Sequence, residues 1–201
     1  MWGDGVRVRP AAVAGRFYPG DADALAALVD ALLADVPLPR RRVRPVAVVA
    51  PHAGFQFSGP VAATAYAHLA PWRGEVASVV VLGPAHFTPL RGMAIPSVEA
   101  FATPLGPVPV DADARAVAAG LSAVVVDDEP HAGEHAIETQ LPFLIRTLGP
   151  GVPVSSHRRG RHAALCCCRS PVHRARRSRH AWAQAGRAER AGRDGSRTVV
   201  G

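Results

Sequence analysis

Two apolar runs of similar length, each closed by a proline or glycine step, dominate the hydrophobic pattern of this chain. The first is Val46–Ala50, and the second is Val79–Leu82. Short runs of this kind, rich in valine and bounded by turn residues, are typical of buried strands in a parallel sheet. Each run leads within a few residues into a histidine, His52 after the first and His86 after the second.

Helical periodicity fills the intervals between these strands. We expect a helix over residues 21–35 with Asp21 as its N-cap, and a second over about 58–69, capped by Ser58 with Pro60 in its first turn. Further along, the pattern predicts a helix over 111–119, a strand over 123–126 and an amphipathic helix over 135–148. Strands that alternate with helices indicate an α/β fold with a mostly parallel sheet flanked by helices.

The composition changes abruptly near residue 154. Residues 1–154 carry 11 arginines against 14 carboxylates, whereas residues 155–201 carry 12 arginines against two carboxylates and all three cysteines. We therefore predict an α/β domain over 1–154 and an arginine-rich tail over 155–201 that is disordered or the product of a shifted reading frame near residue 155. Every basic residue of the chain is arginine, which is typical of a GC-rich gene, so the net charge of +7 does not by itself indicate nucleic-acid binding.

No stretch approaches the roughly 18 apolar residues that a membrane span requires, and the N-terminus does not resemble a signal peptide. Residues 1–154 contain no cysteine and hence no disulfide framework. These features lead us to expect a cytoplasmic protein.

His52 and His86 are the first candidates for chemistry. In α/β sheets ligands bind beyond the carboxyl ends of the strands, so two strand-end imidazoles are expected to lie side by side at one edge of the sheet. Neutral imidazole is a common ligand of iron, copper and zinc, which makes the pair a candidate metal site. The alternative for His52 is a turn histidine that hydrogen-bonds nearby backbone.

A third cluster of polar residues lies between 127 and 138. His131 and His135 are four residues apart, as are Glu134 and Glu138, but the spacing is not that of a zinc protease. The two glutamates could simply complement the dipole of a helix that starts near Glu134. Alternatively, His135 faces the strand-end histidines as a general base.

Four motifs in order make the chain similar to a known family. They are Arg9–Pro19, Pro51–Gly59, Leu82–His86 and Glu134–Leu144, and they resemble the Memo family, also called AmmeMemoRadiSam system protein B. The resemblance implies a fold like that of the class III extradiol dioxygenases, with iron or copper bound by His52 and His86, and with His135 beside them. It also implies a radical-SAM protein and a companion domain as partners.

The chain departs from the family pattern after the last motif. Family members continue for roughly another hundred residues, which supply a third metal ligand, a cysteine in some members, whereas this chain enters the arginine-rich tail. Three adjacent cysteines, Cys166–Cys168, cannot all point at one metal. Three interpretations follow: a metal protein with a redox or oxygenase-like role, a non-catalytic protein that binds a partner or peptide, and a non-functional fragment.

Overall fold

The computed structural model describes residues 5–37, 43–160, 166–169 and 198–200. Its α-helices are α1 (Ala22–Ala34), α2 (Phe55–Ala67), α3 (Ala112–Ala119), α4 (Glu129–Ala132) and α5 (Leu141–Leu148). The strands are β1 (Val8–Arg9), β2 (Ala47–Val48), β3 (Ser78–Ala85), β4 (Met93–Ile95), β5 (Ala100–Phe101), β6 (Val108–Pro109), β7 (Val124–Val126), β8 (Val154–Gly160), β9 (Cys166–Arg169) and β10 (Thr198–Val200). Among these residues no helix is long and apolar enough to cross a membrane.

A central sheet has the strand order β10-β2-β9-β3-β8-β4-β7, and β1, β5 and β6 form a small second sheet. Strand β3 pairs in parallel with β8 over seven residues, whereas β4 runs antiparallel to β8. This confirms the α/β class with helices flanking the sheets, but the central sheet is mixed. The reason lies in the connection over residues 86–92, which is too short for the crossover that parallel strands need and so reverses the chain.

The main core lies where α1, α2 and α5 pack against one another beside β3. Tyr66 of α2 and Phe143 of α5 stack with their ring centroids 5.2 Å apart, and Phe55 packs on the same phenylalanine at 4.9 Å. Leu25 and Val29 of α1 are fully buried, as the helical spacing of that segment predicts. This core holds the amino end of α2, and with it the loop that carries His52, against the sheet.

The helix boundaries confirm one predicted cap and correct another. Asp21 caps α1, accepting a hydrogen bond from the backbone nitrogen of Ala24 at 2.8 Å. The prediction that Ser58 caps α2 is wrong, since α2 begins three residues earlier at Phe55. The amide of Phe55 is satisfied from outside the helix, by the carbonyl of Phe17 at 2.7 Å, and the Ser58 hydroxyl donates back to Ala53 at 3.0 Å.

The amphipathic helix predicted from His135 begins later in the structure, at Glu138, and ends at Leu148 as predicted. The four-residue helix α4 ends at Ala132, a 3₁₀ turn covers Glu138–Gln140, and α5 begins only at Leu141. The Glu134 carboxylate accepts the backbone N–H groups of His135 and Ala136. Because these donors are satisfied locally, the chain passes the site without becoming helical.

The domain boundary predicted at residue 154 coincides with the first residue of β8. That strand continues to Gly160, and Ser155, Ser156, His157 and Arg158 are all buried in it. The three cysteines lie in β9, paired between β2 and β3. The remainder of the predicted tail, residues 161–165, 170–197 and 201, lies outside the described residues.

Candidate metal centre

His52 and His86 meet at one edge of the central sheet. The strands that precede them are not neighbours, since β9 lies between β2 and β3. Since β2 and β3 both run antiparallel to β9, their carboxyl ends still reach the same edge. The two rings lie there with centroids 5.3 Å apart, so the predicted juxtaposition of these two histidines is present.

His135 completes a cluster of three imidazoles. It enters from the non-helical segment between α4 and α5, and its ring stacks on that of His86 at 4.7 Å, with the planes 12° from parallel. The centroid of the His52 ring is 5.7 Å away. Each residue offers a ligand atom, and the three atoms lie within 4.8 Å of one another. One small cation therefore has room to contact all three.

His131, the other histidine of this segment, is not part of the cluster. It is buried, with ring Nε2 3.2 Å from the carbonyl oxygen of Ala94 and Nδ1 3.5 Å from the hydroxyl of Ser156. A carbonyl only accepts, so Nε2 carries the proton. The four-residue spacing of His131 and His135 thus does not bring them to one site, because α4 ends between them.

Glu134 joins two members of the cluster, a role that the sequence pattern did not identify. Its Oε1 lies 2.9 Å from ring Nδ1 of His86 and accepts from the amide of His135 at 2.8 Å, while Oε2 accepts from the His86 amide at 2.5 Å. The side chain is only 2 % exposed. Burial alone would raise the pKa of Glu134, but these His86 hydrogen bonds and the Arg158 guanidinium hold the pKa at about 2, so the group is ionised.

The protonation of the histidines suits a metal. Burial lowers the pKa of His52, and the neighbouring His86 and His135 rings lower it further. Burial also lowers the pKa of His135. Its Nδ1 is buried without a hydrogen-bond partner among the described residues, although Glu134 Oε1 lies 3.1 Å away in a poor direction. Half-buried imidazoles held neutral in this way, one of them with an unsatisfied nitrogen, fit the donor set that iron, copper and zinc accept.

Glu138 holds the N-terminal segment over this site. Its carboxylate accepts from Arg9 Nη1, from the amides of Ala12 and Val13, and from the hydroxyl of Tyr18 at 2.6 Å. The segment so fixed delivers Phe17, whose ring lies 4.8 Å from that of His135. Glu134 lies outside the 3₁₀ turn and α5, so the interpretation through a helix dipole is wrong for it, whereas Glu138 is the first residue of the 3₁₀ turn that runs into α5.

Two further side chains hold the His52 loop. The amide of Gln140 donates to the carbonyl of Pro51 at 3.2 Å, and the Thr139 hydroxyl lies 3.5 Å from the carbonyl oxygen of His52. Glu138, Thr139 and Gln140 are consecutive, so one 3₁₀ turn ties both the N-terminal segment and the His52 loop. In the sequence, the signal that could have pointed to these three residues was their position, three to five places after His135.

Comparison with known proteins supports the resemblance noted from the motifs. A family model described as Memo-like protein matches residues 9–157. A MEMO1 family protein of Ignicoccus hospitalis is 43% identical over 148 residues, covering 68% of this chain and 51% of the relative. One from Methanopyrus kandleri is 42% identical over 144 residues (68% and 50%), and one from Aquifex aeolicus is 37% identical over 142 (70% and 51%). The chain spans about half the length of the curated relatives it matches.

Proposed function

Since this chain belongs to the Memo-like protein family, we propose that it binds a single iron or copper ion through His52, His86 and His135. The observation that carries the proposal is the approach of three histidine ligand atoms to within 4.8 Å of one another at the carboxyl edge of the sheet. The cluster is rigidly supported, because Glu134 contacts both His86 and His135 while Gln140 holds the His52 loop.

The residues around the cluster set the chemistry that such a site performs. An iron or copper ion held by these histidines would supply one-electron redox chemistry. The chain itself contributes neutral imidazole donors and the buried carboxylate of Glu134, and the Phe17 ring packs against the His135 ring at 4.8 Å, tilted by 54°. We propose a redox or oxygenase-like role for this pocket.

His135 fits the role of third ligand better than that of free acid/base. Its ring centroid is nearer to His86 than the His52 centroid is, and it lies almost parallel to that ring. A general base needs an open approach for substrate, whereas His135 is only 15 % exposed and Phe17 packs on it. His86, at 37 % exposure, lies at the open side of the cluster.

Metal analysis of the full chain tests the proposal. Purified protein reconstituted with ferrous iron or cuprous copper should retain about one ion per chain, and the His52→Ala/His86→Ala double variant should retain none. His68, at the carboxyl end of α2, shows no contact with the cluster, so His68→Ala is the matched control and should bind as the wild type does. Equal retention by the wild type and the double variant, or retention by neither, contradicts the proposal.

A second candidate function, the binding of a protein partner, is favoured by one observation. Phe57 and Phe87 are 76 % and 70 % exposed, and they follow the His52 and His86 loops closely in the chain. Large exposed aromatics of this kind are common at interaction sites. A pull-down with the radical-SAM protein and companion domain expected as partners, which survives the His52→Ala/His86→Ala double substitution but not Phe87→Ser, supports this function.

A further inference from the structure

The carboxylate of Glu134 occupies a unique position relative to the three histidines. Among the described residues it is the acidic group that contacts two of them, and its side chain is 2 % exposed. Both oxygens are used: Oε2 by the His86 amide, and Oε1 by the His86 ring and the amides of His135 and Ala136. Such saturation of one buried side chain fixes the positions of everything bound to it.

We propose that Glu134 is a positioning residue that holds His86 as its Nδ1–H tautomer, presents Nε2 of that ring to the metal, and sets the spacing between His86 and His135. This rests on the proposed metal-binding function, which it deepens by assigning the ligand atom of His86 and the group that orients it.

The assignment of the tautomer follows from donors and acceptors. Oε1 of Glu134 accepts from the amides of His135 and Ala136, and Oε2 accepts from the amide of His86, so both oxygens act as acceptors. Ring Nδ1 of His86 lies 2.9 Å from Oε1, so this nitrogen must carry the proton of that contact. In the neutral ring the lone pair is then on Nε2. Metal-bound histidines commonly donate their other ring N–H to a carboxylate in this way, which fixes the ring and raises its basicity.

The spacing argument follows from the shared oxygen. Oε1 accepts from the His135 amide at 2.8 Å and contacts the His86 ring at 2.9 Å, so a single atom links the two residues. The backbone N–H of His86 donates a hydrogen bond to Oε2 at 2.5 Å, and this second contact prevents the carboxylate from turning. The two ligands, which are 49 positions apart in the sequence, are therefore held together before any ion binds, and the binding free energy is not spent on bringing them into place.

The replacement Glu134→Gln disturbs both functions with little change in volume. A glutamine has one acceptor oxygen and one donor NH₂, so whichever way it turns, an N–H faces either the His86 amide or the group of donors at Oε1. Glu129, which precedes it by five residues and has an exposed side chain, provides the matched control variant Glu129→Gln.

The decisive readout is made on the metal-free wild type. Long-range ¹⁵N–¹H correlation spectra at a pH above the ordinary histidine pKa, with His86 assigned by its loss in His86→Asn, should show a protonated Nδ1 and an unprotonated Nε2. The opposite tautomer overturns the proposal. Because this measurement needs neither metal nor a variant at Glu134, it decides the question even if Glu134→Gln does not fold.

Titration with Co²⁺, followed by visible absorption, then tests the consequence. We expect Glu134→Gln to weaken Co²⁺ binding by about 10- to 100-fold relative to wild type, and Glu129→Gln to leave it unchanged. Equal affinity of wild type and Glu134→Gln also overturns the proposal. If the wild type binds no Co²⁺ but shows the Nδ1–H tautomer, the metal-binding function fails while the orientation of His86 by Glu134 stands.

Discussion

Arg9 and Glu138 form an ion pair across 129 positions of sequence, with Nη1 of the arginine 2.5 Å from Oε2 of the glutamate and side chains 4 % and 0 % exposed. Arg9 also donates to the carbonyl of His131 at 2.7 Å and to that of Glu134 at 2.6 Å. One guanidinium thus connects the N-terminal strand β1 to both ends of the segment that carries His135.

Removal of this cation should be strongly destabilising. We expect Arg9→Met to lower the free energy of unfolding by about 3–5 kcal/mol, because the Glu138 carboxylate would stay buried without its partner. Arg7 provides the control, since its pair with Glu99 at 3.5 Å is largely exposed, at 60 % and 41 %. Arg7→Met should cost about 1 kcal/mol or less. Urea denaturation of both variants checks this, and similar losses would contradict it.

The features predicted correctly from the sequence are those that depend on residues close together in the chain. The cap at Asp21, helix α3 and the strand before His86 follow from residues within one element, and all three are present. The pairing of Arg9 with Glu138 could not be predicted, since its two partners come together only through the fold. The same is true of β9, whose place between β2 and β3 depends on long-range strand pairing.

The candidate site was predicted in part. His52 and His86 follow from the rule that ligands gather at carboxyl ends of strands, and His135 was placed beside them by the motif resemblance. The role of Glu134 was missed because the segment was predicted to be helical from His135 onward, which made an acidic residue there look like a response to the helix dipole. The Glu134 carboxylate contacts both the His86 ring and the His135 amide because the backbone around it is not helical.

Gly83 of β3 packs against the segment that carries His135. A Cβ built there would lie 2.9 Å from Cγ1 of Ile137 and 3.1 Å from Nη1 of Arg158. Gly83→Ala should therefore lower the free energy of unfolding by about 1–3 kcal/mol through overpacking. At Gly120 a Cβ would meet nothing closer than 3.5 Å, so Gly120→Ala serves as the control and should change stability little. Thermal melting of the two variants measures the difference.

Stability should fall in mild acid because His131 is buried as a neutral ring. Burial, with the charge of Arg158, lowers its pKa to about 3, whereas an unfolded histidine titrates near 6.5. Between these values the unfolded state binds more protons, so its population grows as the pH falls through this window. The cost from this group should reach about 2–3 kcal/mol near pH 4.5.

The substitution His131→Gln isolates this effect, since glutamine keeps a donor for the Ala94 carbonyl but does not titrate. Urea midpoints of the variant should depend less on pH than those of the wild type. Some dependence should remain, because burial also lowers the pKa of His157, to about 4. An unchanged pH dependence in the variant would show that His131 is not the group responsible.

The metal should stabilise the fold, and His135 should contribute to that effect. With free Co²⁺ at about 100 times its Kd, the gain is about 2.7 kcal/mol, which corresponds to a rise in Tm of roughly 5–10 °C for a chain of this size. His135→Ala should lose most of this rise if it is the third ligand. If His135 serves only as an acid or base, the rise in Tm will be retained, so calorimetry with and without Co²⁺ separates the two roles.

Arg158 is a charged residue buried inside the central sheet. It lies in β8 between β3 and β4, where a buried strand is normally apolar, and its side chain is 0 % exposed. Its Nε has no hydrogen-bond partner among the described residues. Its terminal nitrogens make only long hydrogen bonds, Nη1 to the Pro84 carbonyl at 3.3 Å and Nη2 to the Glu134 carbonyl at 3.4 Å. Burial lowers its pKa to about 9, so the cost of desolvation exceeds the attraction of the nearby carboxylates.

Unlike Arg9, Arg158 makes no hydrogen bond to a carboxylate among the described residues, and Glu134 keeps the backbone N–H groups of His86, His135 and Ala136 as donors without it. We therefore expect Arg158→Met to raise the free energy of unfolding by about 1–3 kcal/mol, because an unbranched apolar side chain fills the same space without a buried charge. We expect the opposite for Arg115→Met. Arg115 Nη1 donates to the carbonyls of Ser97 and Val98 at 2.9 and 2.8 Å, so removing this side chain should lower the free energy of unfolding by about 1 kcal/mol. Denaturation of both variants decides the point. A loss of stability in Arg158→Met would show that Glu134, 4.0 Å from the guanidinium, depends on this cation to remain ionised beside the histidines.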